Sequence, residues 1–295
     1  MAVYKIGSIG EAVKQIQKAL GIKADGIFGK DTEAAVKKFQ KENGLVADGI
    51  IGSKTLEKLI PQFDTDLSPI ITPNVFVDVE EYHLPKKEYL NGKYKNEYIV
   101  LHHTAGWDNP RQVVDCWATD VLGRVATEFV IGGQRTTDGR SIYDGKIIRS
   151  YPEGCQAYHI GASGSSYMNL HSVGIEMCNM GGIKNNMTYV NTPVKADQIV
   201  KLKEPFRGYT DWHKYSDKQL KSLQSLLLCL ANRDNIDLHT GIYQWIKKEG
   251  VMKAFDFHQD AYYGKVKGMI THANVRKDKL DMSPQPNLVD MILSL

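Results

Sequence analysis

Two histidines in this sequence follow short apolar runs that have the composition of buried strands. His102 comes directly after residues 98–101, His272 comes after residues 268–271, and Asp281 lies nine residues further on. Imidazole nitrogen and carboxylate oxygen are ligands that zinc accepts at about 2.0–2.2 Å, and a catalytic zinc site uses three protein ligands. The sequence has no His-Glu-x-x-His motif that would place two ligands on one helix face. These residues alone therefore leave two interpretations open, a metal site or ordinary polar histidines in loops.

The elements that must position these residues alternate between strand-like and helix-like patterns. Residues 129–131 and 172–177 are also short, apolar and partly β-branched, which predicts further buried strands. Ser216 begins a Ser-x-x-Gln sequence typical of a helix N-terminus, and the leucines behind it recur with helical spacing, at 220, 223, 226, 227 and 230. Strands interleaved with helices predict an α/β fold. In such sheets, ligands bind beyond the carboxyl ends of the strands.

The first 60 residues contain an internal repeat with an offset of 23 residues. The sequence Asp-Gly-x-x-Gly occurs at 25–29 and again at 48–52, and Gln17 recurs as Gln40. Apolar residues with helical spacing precede each copy, Asp-Gly favours a turn, and the threonine that follows each copy is expected to cap the next helix. The repeat therefore predicts a small bundle of about three helices joined by two similar turns.

Composition and charge exclude several classes of protein. Lys+Arg is 37 and Asp+Glu is 34, and the resulting net charge of +3 is too weak to predict binding to nucleic acid. No apolar run approaches the roughly 18 residues of a membrane span, and the first residues lack the basic and apolar regions of a secretion signal. We therefore expect a protein made in the cytoplasm with no nucleic-acid or membrane partner. The four cysteines form no Cys-x-x-Cys pair, so they are expected to be reduced core residues.

Residues 1–60, with both Asp-Gly-x-x-Gly turns, resemble the peptidoglycan-binding domain found at one end of many bacterial and phage wall hydrolases. The resemblance implies that this segment binds peptidoglycan, and a helical dimerisation or spacer module is the alternative. Residues 61–85 hold prolines and short polar residues with little periodicity, which predicts a linker. Residues 86–295 are then expected to form the second domain.

Three sequence blocks in the second domain carry a further resemblance. Ile-Val-Leu-His-His-Thr-Ala lies at 99–105, Ser-Val-Gly-Ile-Glu at 172–176, and Thr-His followed by Lys-x-Asp-x-x-Pro within 271–284. Together they resemble the zinc-dependent N-acetylmuramoyl-L-alanine amidases of the amidase-2 type, which phage endolysins share with animal peptidoglycan-recognition proteins. The resemblance implies a central mixed β-sheet flanked by helices. It also implies an enzyme that cleaves the amide between N-acetylmuramic acid and L-alanine.

The positions of residues within these blocks imply their roles. The implied zinc (Zn2+) ligands are His102, His272 and Asp281. Glu176 occupies the position of the family's acidic residue on the central strand, and Lys279 that of the lysine that accompanies the last ligand, so both are implied to be catalytic. His159 falls in a block that lines the substrate groove. His103 is expected to be structural, because successive side chains of a strand point to opposite faces.

Two features depart from the family's pattern. Many relatives carry His-Tyr or Tyr-His on the second strand, whereas this chain has Thr-Glu-Phe at 127–129. A second carboxylate is therefore expected to face the metal, and either Glu176 or Glu128 carries the proton in catalysis, with Glu176 favoured. Segments 180–215 and 239–265 are longer than a minimal enzyme of this type needs. They are rich in tyrosine and tryptophan, which either wall the substrate groove or pack a larger fold.

Two other functions compete with the amidase. A zinc peptidase that cuts within the stem peptide shares the binding module, but its usual His-x(6)-Asp block is missing, since Asn109 stands seven residues after His102. A recognition protein that binds without cutting typically loses a metal ligand, and this chain keeps all three implied ones. The sequence thus predicts a monomeric zinc amidase with peptidoglycan as its partner. The resemblance further implies an endolysin that acts on the cell wall after release from the cytoplasm, and a secreted bacterial toxin is the alternative.

Overall fold

The computed structural model describes residues 4–8, 11–59, 77–92, 94–121, 123–161 and 166–295. The chain divides into two compact units, Met1–Val79 and Glu80–Leu295. Of the predicted linker, 61–85, residues 61–76 lie outside the described residues. The described remainder includes Val79–Glu81 (β1), which forms a strand of the main sheet of the second unit. No helix among the described residues is long and apolar enough to cross a membrane.

The first unit contains the three helices that the repeat predicts. They are α1 (Glu11–Ala19), α2 (Lys30–Glu42) and α3 (Ser53–Leu59). Their apolar faces meet in one core, whose buried members are Tyr4, Val13, Ile16, Phe28, Val36, Phe39, Ile51, Leu56 and Leu59. Helices this short gain most of their stability from packing such faces together.

The repeated glutamine organises both turns in the same way. Gln40 Nε2 donates to Asp48 Oδ1 (2.8 Å), to the carbonyl oxygen of Ile50 (2.9 Å) and to Thr55 Oγ1 (3.0 Å). Its Oε1 accepts from the backbone of Gly49 at 2.9 Å. Gln17 makes the equivalent four bonds in the first copy. The threonines were expected to cap helices, but they bond the glutamines instead. In α2, for example, the N-cap is Gly29 and has no side-chain bond.

The second unit is built on a mixed six-stranded sheet. Besides β1, its strands are Tyr98–His103 (β3), Phe129–Ile131 (β4), Ile147–Arg149 (β5), Ser172–Met177 (β7) and Gly268–Thr271 (β11), in the order β1-β5-β4-β7-β3-β11. The β4, β7, β3 and β11 strands are parallel, and β5 runs antiparallel to β4. The four parallel strands are buried along their whole length, as expected for a sheet covered on both faces.

Helices and two small sheets complete this unit. The helices are α4 (Pro110–Thr119), α5 (Ser166–Leu170), α6 (Asp217–Asp234), α7 (Ile242–Glu249), α8 (Val251–Ala254), α9 (Gln259–Tyr262), α10 (His272–Val275) and α11 (Pro286–Leu293). The predicted capping box starts α6, where Ser216 and Gln219 bond each other's backbone, and the five spaced leucines are buried. The small sheets pair β2 (Leu90–Asn91) with β6 (Cys155–Gln156), and β8 (Gly182–Ile183) with β10 (Tyr209–His213) and β9 (Ile199–Phe206).

The two long segments fold differently from each other. Segment 180–215 forms the three-stranded sheet β8-β10-β9, and segment 239–265 forms α7, α8 and α9. Some of their aromatic residues are buried, including Trp212 and Tyr215, whereas Tyr189 and Tyr263 are exposed. Core packing therefore accounts for part of this aromatic content.

Candidate metal centre

The predicted site residues meet at one edge of the main sheet, because the strands that carry them are parallel and adjacent. In the pairing of β3 with β7, His102 lies opposite Glu176. On the other side of β3, the last residue of β11, Thr271, lies opposite Leu101. His272 therefore comes level with His102, where the chain turns from β11 into α10. This is the carboxyl edge of the sheet, where ligand sites of such folds occur.

Three side-chain atoms converge at this edge with nearly equal separations. His102 Nδ1 lies 3.0 Å from His272 Nδ1 and 3.3 Å from Asp281 Oδ2, and His272 Nδ1 lies 3.0 Å from the same oxygen. Ligands at about 2.0–2.2 Å from a tetrahedral zinc ion are separated by about 3.3–3.6 Å. The three atoms need to move apart by only a few tenths of an ångström to accept the ion. The donor set and its geometry thus fit zinc, with one tetrahedral position left over.

Both histidines also have a partner on the ring nitrogen that faces away from this triangle. His102 Nε2 lies 3.0 Å from His159 Nδ1, and His272 Nε2 lies 3.3 Å from the carbonyl oxygen of Ile160. Metal-binding histidines usually have such a partner, which orients the ring and selects the tautomer. The Nδ1 atoms are therefore the ones presented to a metal.

The environment of the cluster favours the protonation states that metal ligands need. Burial, together with the neighbouring His272, lowers the pKa of His102 to about 4, so this imidazole is neutral at pH 7. Burial alone raises the pKa of Asp281, but the charge of His272 and hydrogen bonds from both histidines outweigh it and hold that pKa well below its usual value. Neutral imidazole and ionised carboxylate are the forms that bind zinc.

Glu176 stands beside the three ligand atoms with its carboxyl group withdrawn from water. Its burial, followed by the nearby charge of Asp281, raises the pKa of Glu176 well above the usual value, and Lys279 opposes this shift. Among the described residues, none donates a hydrogen bond to the Glu176 carboxylate. A carboxyl group with a raised pKa and free oxygens can both accept and donate a proton near neutral pH.

Lys279 lies close enough to act electrostatically on two residues of the site. Its positive charge contributes to the pKa of Glu176 and to that of His102. The residue is partly exposed and lies two positions before Asp281. Partial exposure leaves its ammonium group available to a bound molecule.

His159 faces the protein interior rather than a groove. Its Nδ1 contacts His102, its Nε2 contacts Ser172 Oγ at 2.8 Å, and only 6% of its surface is exposed. The expectation that His159 lines the substrate groove through its ring is therefore corrected, because both ring nitrogens already have partners inside the protein. The residue supports His102.

The expectation that Glu128 faces the metal is also corrected. The Glu128 carboxylate instead accepts from Arg233 at 2.9 Å and lies 3.7 Å from Arg149. Arg149 pairs with Phe129 and Phe129 pairs with Ile175, so Arg149 lies on the face of the sheet away from Glu176.

His103 likewise lies on the face of β3 opposite to His102. Its Nδ1 lies 2.8 Å from the hydroxyl of Tyr215, and its ring packs edge-on against Trp212. Burial lowers the pKa of His103, so the ring is a neutral part of the packing behind the sheet.

Two residues that sequence reasoning missed hold the loop of the last ligand. Asn274 caps α10 and donates to the carbonyl oxygens of Ala254 and Asp256. Arg207, at the turn between β9 and β10, donates to the carbonyl oxygens of Lys277 and Ala273. A Thr-x-x-Asn sequence directly after a strand is a signal for the first. Nothing local to Arg207 predicts a contact 70 residues away.

Comparison with protein families matches both parts of the chain. Residues 92–281 match the family described as N-acetylmuramoyl-L-alanine amidase, and residues 9–59 match the family described as putative peptidoglycan binding domain. The first match covers more than half of the chain and contains every residue of the candidate site. No curated protein sequence matches the chain.

Solved structures align with one part of the chain or the other. N-acetylmuramoyl-L-alanine amidase LysC from Clostridium intestinale URNW is 15% identical over 74% of this chain and 97% of its own, with a TM-score of 0.41. Endolysine N-acetylmuramoyl-L-alanine amidase LysCS from the same organism is 16% identical over 73% and 93%, with a TM-score of 0.40. The N-terminal domain of SleB is 36% identical over 20% and 90%, with a TM-score of 0.20. The family match over residues 92–281, rather than these structures, identifies the catalytic region.

Proposed function

The chain belongs to the N-acetylmuramoyl-L-alanine amidase family, and on this premise we propose that its hydrolysis of peptidoglycan uses zinc bound by His102, His272 and Asp281. The observation that carries the proposal is the separation of 3.0–3.3 Å between the three ligand atoms at the carboxyl edge of the sheet. The bond cleaved is the amide between the lactyl group of N-acetylmuramic acid and L-alanine. The chemistry that a bound zinc ion supplies is activation of water and polarisation of a carbonyl oxygen.

In this proposal, Glu176 moves the proton that the reaction requires. It accepts a proton from the attacking water and returns it to the nitrogen of L-alanine, since an amine leaves an acyl carbon readily only when it is protonated. Support comes from its position opposite His102 on the adjacent strand and from the burial that raises its pKa. Glu128 has no part in this step, because its carboxylate is paired with arginines on the other face of the sheet.

Lys279 and His159 have supporting roles in the same proposal. The ammonium group of Lys279 stabilises the negative charge that develops on the carbonyl oxygen of the substrate. His159 keeps the His102 ring in the orientation that presents Nδ1, because it contacts the Nε2 atom of that ring. Ser172 Oγ in turn holds His159 at 2.8 Å.

We further propose that the N-terminal unit anchors the enzyme to the wall. A binding unit tethered to a catalytic one raises the local concentration of the catalyst at an insoluble polymer. The combination is that of a lytic enzyme, and we assign the chain to the endolysin class. Lysis of intact cells on addition of the protein, compared with lysis after its production inside the host cell, tests this assignment.

Analysis of the products tests the reaction itself. Purified peptidoglycan is treated with the full chain, with the full chain and a zinc chelator, and with the chelated protein after zinc is restored. Mass spectrometry is expected to show free stem peptides that begin with L-alanine, lost on chelation and regained with zinc. Shortened peptides still attached to muramic acid would mean a peptidase. Binding to sacculi without any product would mean a recognition protein.

A further inference from the structure

A cavity of about 310 Å³, which the proposed reaction does not use, lies in the part of the chain that follows the carboxyl end of β7. It is formed by segment 180–215, and its lining includes Lys184, Asn185, Met187, Tyr189, Asn191 and Tyr209. A volume of this order is at the lower end of the range for small-molecule sites. It is large enough for one or two rings of a small polar ligand.

One hydrogen bond connects this cavity to the strand that carries the first metal ligand. Tyr189 donates from its hydroxyl to the carbonyl oxygen of Ala105 at 2.8 Å. Ala105 is three residues beyond His102, so the two lie within about 11 Å of each other along the backbone. Tyr189 thus ties the wall of the cavity to the segment that follows the carboxyl end of β3, near the candidate metal centre.

The ring of Tyr189 is held in place but left exposed. About 64% of the residue is accessible to solvent, although its hydroxyl is tied to the backbone. The neighbouring Tyr209 ring lies against Gly182, where a Cβ would come within 2.5 Å of it, so this glycine is required for the ring to pack there. The two rings give the cavity flat apolar surfaces that need no reordering before a ligand binds.

The loop that carries Tyr189 is fixed by its own hydrogen bonds. The backbone of Thr188 donates to Thr192 at 2.9 Å, and its Oγ1 accepts from Thr192 at 3.1 Å. Asn186 accepts from Val194 across the loop at 2.8 Å. The polar lining is thus presented in one arrangement.

The polar groups of the cavity favour an uncharged ligand. Among the described residues that line it, Lys184 is the one that carries a charge, and the others offer amide, hydroxyl, thioether and aromatic groups. The carboxylates of a stem peptide would require more cations than one lysine. Neutral amides and hydroxyls beside aromatic faces match a saccharide, whose ring presents apolar C–H groups on its faces and hydroxyl and acetamido groups at its edges.

We propose that this cavity is a saccharide subsite that binds an N-acetylhexosamine of the glycan strand next to the muramic acid whose amide is cleaved. The assignment of the glycan as ligand rests on the proposed function. It makes the enzyme selective for muropeptides that are still part of a glycan strand.

The test compares how tightly the wild-type chain and its variants bind a saccharide that an amidase cannot hydrolyse. The tetramer of N-acetylglucosamine contains no lactyl amide, so its affinity for the full chain, measured by calorimetry, does not depend on turnover. Tyr189→Ala is expected to weaken binding about tenfold, a change of about 1.4 kcal/mol that is typical of a lost aromatic contact. Tyr189→Phe, which keeps the ring but loses the bond to Ala105, is expected to weaken it less. The matched control is Tyr263→Ala, at a similarly exposed tyrosine elsewhere, and it is expected to bind normally.

Three results would contradict the proposal of a saccharide subsite. These are unchanged saccharide affinity in Tyr189→Ala, an equal loss in Tyr263→Ala, and a loss of affinity for the free stem peptide instead of the saccharide. The N-terminal unit is identical in all variants, so its own affinity contributes equally to each titration. Failure of the proposed function is distinguishable, because absence of amidase products from the wild type leaves the saccharide titrations unaffected.

Discussion

His102 Nδ1 lies 3.0 Å from His272 Nδ1, although 170 residues separate them in the sequence. Parallel pairing of β3 with β11 brings the two together, since it aligns their carboxyl ends. The loop after α10 then returns to place Asp281 against both rings. Each ligand of the triangle comes from a different part of the backbone, so the metal site requires that β3 and β11 are paired and that the loop after α10 is folded.

Loss of a ligand is expected to remove both metal and activity. His102→Ala and Asp281→Asn each leave two of the three donors, and we expect zinc affinity to fall by about a hundredfold or more. Zinc content after dialysis against a weak chelator measures this directly. His239→Ala is the control, because that side chain is exposed. A His102→Ala protein that keeps one zinc per chain would contradict the assignment.

Glu176→Gln is expected to separate metal binding from turnover. The amide has the same shape as the carboxyl group but cannot carry the proton, so kcat should fall by about 10²–10⁴-fold. Zinc content should stay at the wild-type level. The measurement is the rate at which a soluble muropeptide is hydrolysed, monitored through the amine of L-alanine that the reaction releases. Full activity in this variant would remove Glu176 from the mechanism.

His159→Ala distinguishes support of a ligand from contact with substrate. Its ring contacts His102 Nε2 and Ser172 Oγ, and loss of such a partner typically lowers metal affinity by about 10–100-fold. Zinc titration with a competing chelator is expected to show this drop, while KM in excess zinc changes little. If KM rises and zinc affinity stays the same, His159 binds substrate instead.

The sequence was sufficient to predict the elements of the site but not every side-chain direction. Apolar runs that end in His102 and His272 predicted two buried strands, and both are present in the sheet. Parallel pairing makes strand ends coincide, which explains why these residues meet, but the choice of His102, His272 and Asp281 as ligands rested on the resemblance to the amidase family. The periodicity of apolar residues carries the information on the strands, because it reports burial.

The position of Glu128 could not be predicted in the same way. The side chain of Thr127, directly ahead of the short strand β4, takes the place on the site face beside Gly174. The periodicity of apolar residues does not show which of the polar neighbours Thr127 and Glu128 faces the metal. The direction of the Glu128 side chain is set by its attraction to Arg233 and Arg149, which lie 105 and 21 positions further along the chain. Arg207 was missed for the same reason, since its partners are backbone carbonyls 66 and 70 residues away.

Replacement of Glu128 is expected to affect stability and not the metal. Glu128→Met leaves Arg233 buried with only part of its charge compensated, at a cost of about 3 kcal/mol. Unfolding in denaturant measures the loss. The double variant Glu128→Met, Arg233→Met should recover most of it, because removal of both charges avoids an unpaired one. Zinc content is expected to remain normal in both, and a loss of zinc would place Glu128 at the metal after all.

Deletion of residues 1–60 is expected to distinguish anchoring from catalysis. The described residues of the candidate site all lie in the second compact unit, from Glu80 onward, so the truncated chain should hydrolyse soluble muropeptides at the wild-type rate. Its rate on insoluble sacculi should fall, because the tether no longer concentrates the enzyme on the wall. Gln40→Leu in the full chain is a milder change than the deletion, since it removes the bonds that Gln40 makes to Asp48 and Thr55 in the second turn. It should likewise lower the rate on sacculi and leave the rate on soluble muropeptides unchanged. An equal loss on soluble and insoluble substrates would mean that the helical unit supports the amidase fold and that the wall-binding role is wrong.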